Sequence, residues 1–343
     1  MEKNTPQVNV DIVPYGDDLV EAHRDFCSKV WPGKKRRRED DYSRWKFRGP
    51  EKGDVEGLLL AVSGKKVLGQ LGLIPVTVIL NRKEKKSQWA CDLMVDPGFR
   101  KSGIGNKLFA HAFERDMMTI GNNPSPKADA LMLKAGFKKI RSGRTMVFPL
   151  EASHILKWII PDKLKFVTPA LSGILQIYFS YKSSRISKRS QSFRECSLDE
   201  VSGMIQQDQK KSEQAEVVHD TSFLNWRAAG FKKYSPRFMF IKSETGSYAV
   251  HGDFKPSYNI YDWNCNSMEE TRDLVSSMVL EASNKECKII QAIANCKTEE
   301  ERLGKLGFIR ARNEENIIHF SHDGFLDNAN SFRFTLYDTD INL

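Results

Sequence analysis

The segment Val95-Asp96-Pro97-Gly98-Phe99-Arg100-Lys101-Ser102-Gly103-Ile104-Gly105 has the residue types and spacing of a phosphate cradle. A strand-like run closes at Val95, Pro97-Gly98 turns the chain, and an amphipathic helix pattern opens near Gly103. Free backbone N–H groups at a helix N-terminus, with the positive end of its dipole, hold phosphate oxygens. Glycine at 103 and 105 lets the backbone approach a ligand with no Cβ in the way. Arg100 and Lys101 add charge. A lone Gly-x-Gly would be a surface turn. Strand, Pro-Gly turn, Arg-x-x-Gly-x-Gly and helix in that order point to a bound pyrophosphate.

The elements that position this loop read β-α-loop-β-β-β-α-β-α-β. Val8 to Val13 alternates as a strand, and Asp17 to Val30 reads as a helix with Asp17 or Asp18 at its N-cap. Leu58 to Val62 and Val67 to Leu80 read as antiparallel strands joined at Gly64-Lys65, followed by a strand over Gln88 to Val95. Gly103 to Met117 is a helix with Ile104, Leu108 and Ala112 on one face. Lys127 to Ala135 is a short helix closed by Gly136, and Lys138 to Leu150 is the last strand region.

On Arg100, Gly103 and Gly105, residues 7–150 resemble the GNAT acyltransferases, whose acyl-CoA signature is Gln/Arg-x-x-Gly-x-Gly/Ala. The motif Asp92-x-x-Val95-x-Pro97-x-x-Arg100, with Trp45-Lys46-Phe47 and Gly121-Asn122-Asn123-Pro124, is similar to two-domain GNAT proteins of bacterial polysaccharide and amino-sugar loci. The ending Phe332-x-Phe334-Thr335-Leu336-Tyr337-Asp338-Thr339-Asp340 is similar to theirs as well. The resemblance implies acetyl-CoA as co-substrate, no metal, and direct acyl transfer to an amine in a ternary complex. Leu93, Met94 and Val95 would bond the pantetheine arm through their backbone. Arg100, Lys101, Ser102, Gly103, Ile104 and Gly105 would hold the pyrophosphate. Many relatives carry a tyrosine as general acid where this chain has Met132, which donates no proton. Asp92 is the candidate general base, directly or through water, or else a strand carboxylate bonded to a neighbouring loop. His111 is expected to be exposed.

A second copy of the plan follows. Tyr42-Ser43-Arg44-Trp45-Lys46 matches Phe223-Leu224-Asn225-Trp226-Arg227, Asp92 matches Asp262, and Ala135-Gly136-Phe137 matches Leu306-Gly307-Phe308. Asp92 and Phe137 are 45 positions apart, Asp262 and Phe308 46. The fold class is therefore α/β (α+β): two tandem GNAT-like units, each a mixed, mostly antiparallel sheet flanked by helices. Residues 1–150 form the acyl-CoA-binding domain, 151–190 a partly helical connector, and 191–343 a degenerate copy. Trp263-Asn264-Cys265-Asn266-Ser267 holds no glycine, so this copy is not expected to bind CoA. Ser267-x-x-Glu270 reads as a capping box for a helix over Met268 to Ala282. An acceptor cleft between the halves, lined by Trp226, Tyr258, Tyr261 or Trp263, is expected, although strand aromatics more often belong to a core.

Bulk composition agrees. A chain of 343 residues is too long for one compact core. Six scattered cysteines without a C-x-x-C pair argue against zinc and a disulfide framework, and for a reduced, cytoplasmic compartment. No apolar run reaches the roughly 18 residues of a spanning helix. The net charge of +9 suits a phosphorylated small-molecule acceptor, with contact to an anionic membrane surface the other basic-protein option. Nucleic acid is not expected, because no aromatic RNA motif or zinc-finger spacing accompanies Lys34-Lys35-Arg36-Arg37-Arg38. That run is either a solvated loop or a substrate-facing one. The acceptor is read as an amine on a small polar molecule such as an amino sugar or its nucleotide derivative. Protein acetylation and CoA binding without turnover are the competing readings.

Overall fold

The computed structural model describes residues 8–50, 55–160, 168–186, 192–228 and 238–338. The first half runs β1 (Asp11–Pro14), α1 (Val20–Val30), α2 (Asp40–Arg48), β2 (Leu58–Ser63), β3 (Lys66–Leu80), β4 (Lys83–Val95), α3 (Ile104–Glu114), β5 (Met118–Asn122), α4 (Pro126–Lys134) and β6 (Lys138–Pro149). The connector holds α5 (Ala152–Ile159) and α6 (Thr168–Ile186). The second half runs β7 (Phe193–Glu195), α7 (Leu198–Lys211), β8 (Ala215–Val217), α8 (Thr221–Ala228), β9 (Met239–Ser243), β10 (Tyr248–Phe254), β11 (Ser257–Asn264), α9 (Met268–Asn284), β12 (Ile289–Ala294), α10 (Lys297–Lys305), β13 (Ile309–Phe320) and β14 (Phe332–Arg333). Thr339 and Asp340 of the C-terminal motif, and Lys188 and Arg189 of the connector, lie outside the described residues.

The helix and strand order expected for the first half is present, with local differences. Neither Asp17 nor Asp18 caps α1, because a 3₁₀ turn over Asp17–Leu19, which starts after Gly16, precedes it and leaves Leu19 at the N-cap position. Asp17 pairs instead with Arg44. The segment read as a loop contains α2, which buries Tyr42, Trp45, Lys46 and Phe47. β4 begins at Lys83, earlier than its apolar residues suggest, because Asn81 and Arg82 form a tight hairpin with φ of 50° and 64°. Ser267 caps α9 through the Glu270 N–H, at 3.1 Å. The Glu270 carboxylate reaches Ser243 and Thr245, so the expected capping box is only half made. A complete box forms at Ser197 and Glu200 at the start of α7.

The two halves share one sheet, in the order β1-β2-β3-β4-β5-β13-β6-β12-β11-β10-β9-β7. The long closing strands of the two halves, β6 and β13, are exchanged: β13 lies between β5 and β6, and β6 between β13 and β12. β13 pairs with β5 (Asn122↔Ile317) and with β6 (Ile140↔Ile317), and β6 pairs with β12 (Arg144↔Ala294). The tandem α/β units expected from the repeat are therefore exchanged at the seam, not merely adjacent. A second ribbon closes the middle, since β3 pairs with β8, β8 with β14, and β14 with β6.

Alternation across these strands sorts side chains to two faces. One face carries an apolar core built from both halves, including Trp45, Trp89 and Met118 with Leu224, Trp226 and Tyr261. The other carries two cores, one under α3 and α4 around Leu108, and one under α9 and α10 around Val275.

The repeat is visible at the level of single bonds. Trp45 Nε1 donates to the Trp226 carbonyl at 3.1 Å, and Trp226 Nε1 donates to the Trp45 carbonyl at 3.0 Å. The indoles lie 5.7 Å apart. Gly136 and Gly307 both take left-handed φ, 94° and 101°. Behind them the Phe137 N–H reaches the Met132 carbonyl and the Phe308 N–H the Leu303 carbonyl, each at 3.1 Å, closing α4 and α10 alike. β6 and β13 then run 12 residues each.

Because Trp45 and Trp226 satisfy each other across the seam, Trp226→Ala should cost about 3–5 kcal/mol in chemical denaturation. Trp45→Ala with Trp226→Ala should cost less than the sum of the single losses. Strict additivity would show that the two rings do not act as a unit.

Candidate functional site

The site begins with a defect in a strand. β3 and β4 keep one register from Leu80↔Lys83 to Gly72↔Cys91, then shift so that Gln70 faces Met94. One extra residue is thereby fitted into β4, a bulge that bends it. Asp92 sits in the bulge at φ 51°, a conformation that Asp tolerates better than most side chains. β4 and β5 pair in parallel only over Ser87–Trp89 and Met118–Ile120. Beyond that they part, and a cavity of about 320 Å³ opens between them.

Of the residues named from sequence, Asp92, Leu93, Met94 and Met132 line this cavity. Trp31, Trp89, Phe109, Asn122 and Asn123 line it as well, and all its lining residues come from the first half. The Asn122 Oδ1 is buried there without a hydrogen-bond partner. The expected contribution from Trp226, Tyr258, Tyr261 or Trp263 is not made, because these four are buried in the apolar cores. Strand aromatics facing a sheet interior gain more by leaving water than by lining a wet cleft.

Asp92 is buried and carries two cations. Lys46, itself fully buried, donates to Oδ2 at 2.8 Å, and Arg37 pairs with Oδ1. Burial alone would raise the carboxyl pKa, but the charges of Lys46 and Arg37 outweigh it and bring it to about 2. Gln70 donates to the Asp92 carbonyl at 3.3 Å, and its Oε1 meets His23 Nε2 at 2.9 Å. The basic run is thus not merely a solvated loop. Arg37 reaches inward, its guanidinium 4.6 Å above the Trp31 ring at the cavity wall. Lys46 and Arg37 as partners of Asp92 were not foreseen, although both lie in segments that the sequence marks out.

The glycine loop lies past the gap. Val95 ends β4, and the Asp96 carboxylate accepts from the Gly98 N–H at 2.9 Å and from Lys29 at 2.6 Å, which fixes the turn. Lys101 and Gly103 take φ of 75° and 83°, and α3 starts at Ile104. The first N–H groups of such a helix have no partner within it. A Cβ on Gly103 would meet open space, and one on Gly105 would stand 3.6 Å from Leu131. Gly103 is therefore required for its backbone angle, not for packing. Ser102 donates its hydroxyl to the Phe99 carbonyl. The Ile104 side chain is buried against Gly69, so only its backbone is available to a ligand. Arg100, Lys101, Ser102, Gly103, Ile104, Gly105 and Val95 do not line the cavity; they continue from its rim.

Residues 17–137, the bulged strand and glycine loop among them, match the family model described as the acetyltransferase (GNAT) family. These residues form a GNAT-type acyltransferase domain. No curated protein matches it in sequence. In structure it is similar to a GCN5-related N-acetyltransferase from Anabaena variabilis, with a TM-score of 0.60 at 11% identity over 91% of this chain and 72% of that one. A GCN5-related N-acetyltransferase from Kribbella flavida gives 0.59 at 11% over 92% and 72%. Saccharomyces cerevisiae N-myristoyltransferase with bound myristoyl-CoA gives 0.56 at 10% over 93% and 85%. At these identities the likeness is one of fold.

The second half, outside the matched residues, carries the same parts with the gap filled. β11 and β12 pair in parallel at Ser257–Asn259, as β4 and β5 do. Trp263 stands where the first half has Leu93, one residue past the aspartate. Its Nε1 donates to the Ile293 carbonyl of β12 at 2.9 Å, the place that Asn122 holds on β5. The indole therefore bridges the two strands that would have to part. Arg302 donates to the carbonyls of Cys265 and Asn266 before α9, where the first half offers an open loop. Asp262 is also paired, but with different partners, Arg333 at 2.6 Å and His219 at 3.4 Å. His219 also meets Asp338 at 2.9 Å. Burial alone would lower the His219 pKa, but Asp338 and Asp262 outweigh it and raise it to about 9.

Two outcomes follow. Gly103→Val should lose acetyl-CoA binding in equilibrium dialysis, by at least about tenfold. The left-handed backbone costs a side chain only about 1–2 kcal/mol, so the fold should survive. Equal affinity in the variant would contradict the loop assignment. His219 has a raised folded pKa, so its stabilisation is present below 6.5 and lost as pH rises through about 9. An NMR titration should find its imidazole still protonated at pH 7.5; an ordinary midpoint near 6.5 would contradict the buried ion cluster.

Proposed function

We propose that the chain transfers an acyl group, acetyl in the first instance, from CoA to the amine of a small polar acceptor such as an amino sugar or its nucleotide derivative. The observation that carries the reading is the open β4–β5 gap beside a glycine-started helix, present in the first half and plugged in the second. The gap suits a pantetheine arm, and the unpartnered Asn122 Oδ1 suits an amide N–H donor on it. The N-terminus of α3 with Arg100 and Lys101 suits the pyrophosphate. Trp31 and the basic segment around Arg37 stand at the acceptor's side and favour a phosphorylated molecule.

Among the lining residues, Asp92 and Cys91 are the titratable ones. An aspartate with a pKa of about 2 is a weak base, which supports an anchoring role for Asp92 in place of the base expected from sequence. It holds Lys46 and Arg37 against the bulge and fixes the backbone of Leu93 and Met94. The acceptor then enters as a free amine and attacks the thioester carbonyl. N–H groups of the bulged strand stabilise the oxyanion. As the new C–N bond forms, the nitrogen passes its surplus proton to water; the C–S bond breaks, and the departing CoA thiolate takes a proton from water, since Met132 has none to give. Catalysis rests on orientation and oxyanion stabilisation.

Acyl-CoA consumption should be measured against amino sugars, their nucleotide derivatives, polyamines and peptides. With the true acceptor, kcat/KM should rise with pH and level near that amine's own pKa, with no limb from Asp92. Met132 favours a second reading, CoA binding without turnover. Saturable acetyl-CoA binding with no consumption across the panel would support that reading and overturn the first.

A further inference from the structure

Apolar side chains on the surface are concentrated in one helix. Of the eight large apolar residues exposed among the described residues, five, Leu171, Ile174, Ile177, Tyr178 and Tyr181, belong to α6, at 40%, 69%, 75%, 51% and 54% exposure, and the other three, Leu133, Leu280 and Ile309, lie singly in α4, α9 and β13. Scattered single exposures are ordinary; a contiguous row marks a contact surface. Spacings of three and four residues place them on one side of the helix. The opposite side is docked. Gln176 accepts from the Ala152 N–H at 2.8 Å and donates to the Leu150 carbonyl at 2.9 Å. Leu175 and Phe179, on the Gln176 side, are half-buried. The rotation of α6 is thereby fixed with its apolar row outward.

Charge decides what covers the row. α6 contains no aspartate or glutamate, and its C-terminal turns carry Lys182 and Arg185. The Lys182 ammonium lies 5.8 Å from the Tyr178 ring, and the Arg185 guanidinium 5.4 Å from the Tyr181 ring. Tyrosines with cations over their rings match a water–lipid boundary, where rings sit at headgroup depth and charges meet phosphates. A second copy of α6 would set like charges against each other. Among the described residues no helix is long and apolar enough to cross a membrane. A helix of 19 residues, about 28 Å long, would lie in the plane of the surface.

We propose that α6 is a membrane-surface anchor that seats this protein on anionic lipid. Its apolar row enters the headgroup boundary, and Lys182 and Arg185 bind lipid phosphates.

The test is flotation of the full chain with vesicles of phosphatidylcholine alone or mixed with phosphatidylglycerol. The wild type should float with the mixed vesicles and much less with phosphatidylcholine, with binding weakened by salt. Ile174→Ser with Ile177→Ser, and separately Lys182→Glu with Arg185→Glu, should each weaken binding by at least about tenfold. Both variants should bind acetyl-CoA as the wild type does, which separates loss of the surface from loss of the fold. No flotation, or flotation equal in wild type and variants, would overturn the proposal. So would a dimer in analytical ultracentrifugation that Ile174→Ser with Ile177→Ser dissociates, since α6 would then be an interface between copies.

Discussion

The site depends on what holds β5 once it leaves β4. The two strands share only a short parallel contact, and the cavity exists because they then part. A strand with one edge released needs its other edge secured. β13 secures it by pairing from Thr119↔Phe320 to Asn122↔Ile317, and β13 belongs to the second half. The exchange of β6 and β13 therefore makes the second half a structural part of the first half's cavity without lending it a wall residue. It also explains why the two halves share an apolar core and why the tryptophans at the seam bond reciprocally.

One chain plan has produced two different sites through a few substitutions. Leu93 leaves room between β4 and β5, whereas Trp263 fills and bridges β11 and β12. Gly103 starts α3 with an open approach, whereas the loop before α9 is tied to Arg302. Asp92 and Asp262 both remain buried anions beside cations. The half whose strand gap is bridged keeps its aspartate, which agrees with a role in holding the strand. Met132 and its counterpart Leu303 are both buried and apolar, so neither half offers a proton donor there.

Much of this was legible in sequence. The glycine loop, the strand before it and the repeat of Trp, Asp and Gly-Phe all rest on local chemistry that residue types record directly. The absence of glycine near Trp263 marked the second copy as altered. The strand exchange left no local mark, because β6 and β13 carry the same pattern whichever half they join. Nor did the partners of Asp92: Lys46 looks like an ordinary loop cation, and only the fold places it in a helix and buries it. The aromatic residues of the second half were open to two readings in sequence, and their burial assigns them to the core.

The central claim is that one half is open to CoA and the other is closed by its own side chains. The direct measurement is the stoichiometry of acetyl-CoA binding by isothermal titration calorimetry on the whole chain. The account predicts one equivalent per chain. Two equivalents, or one that survives the loss of the Gly103 loop, would contradict it.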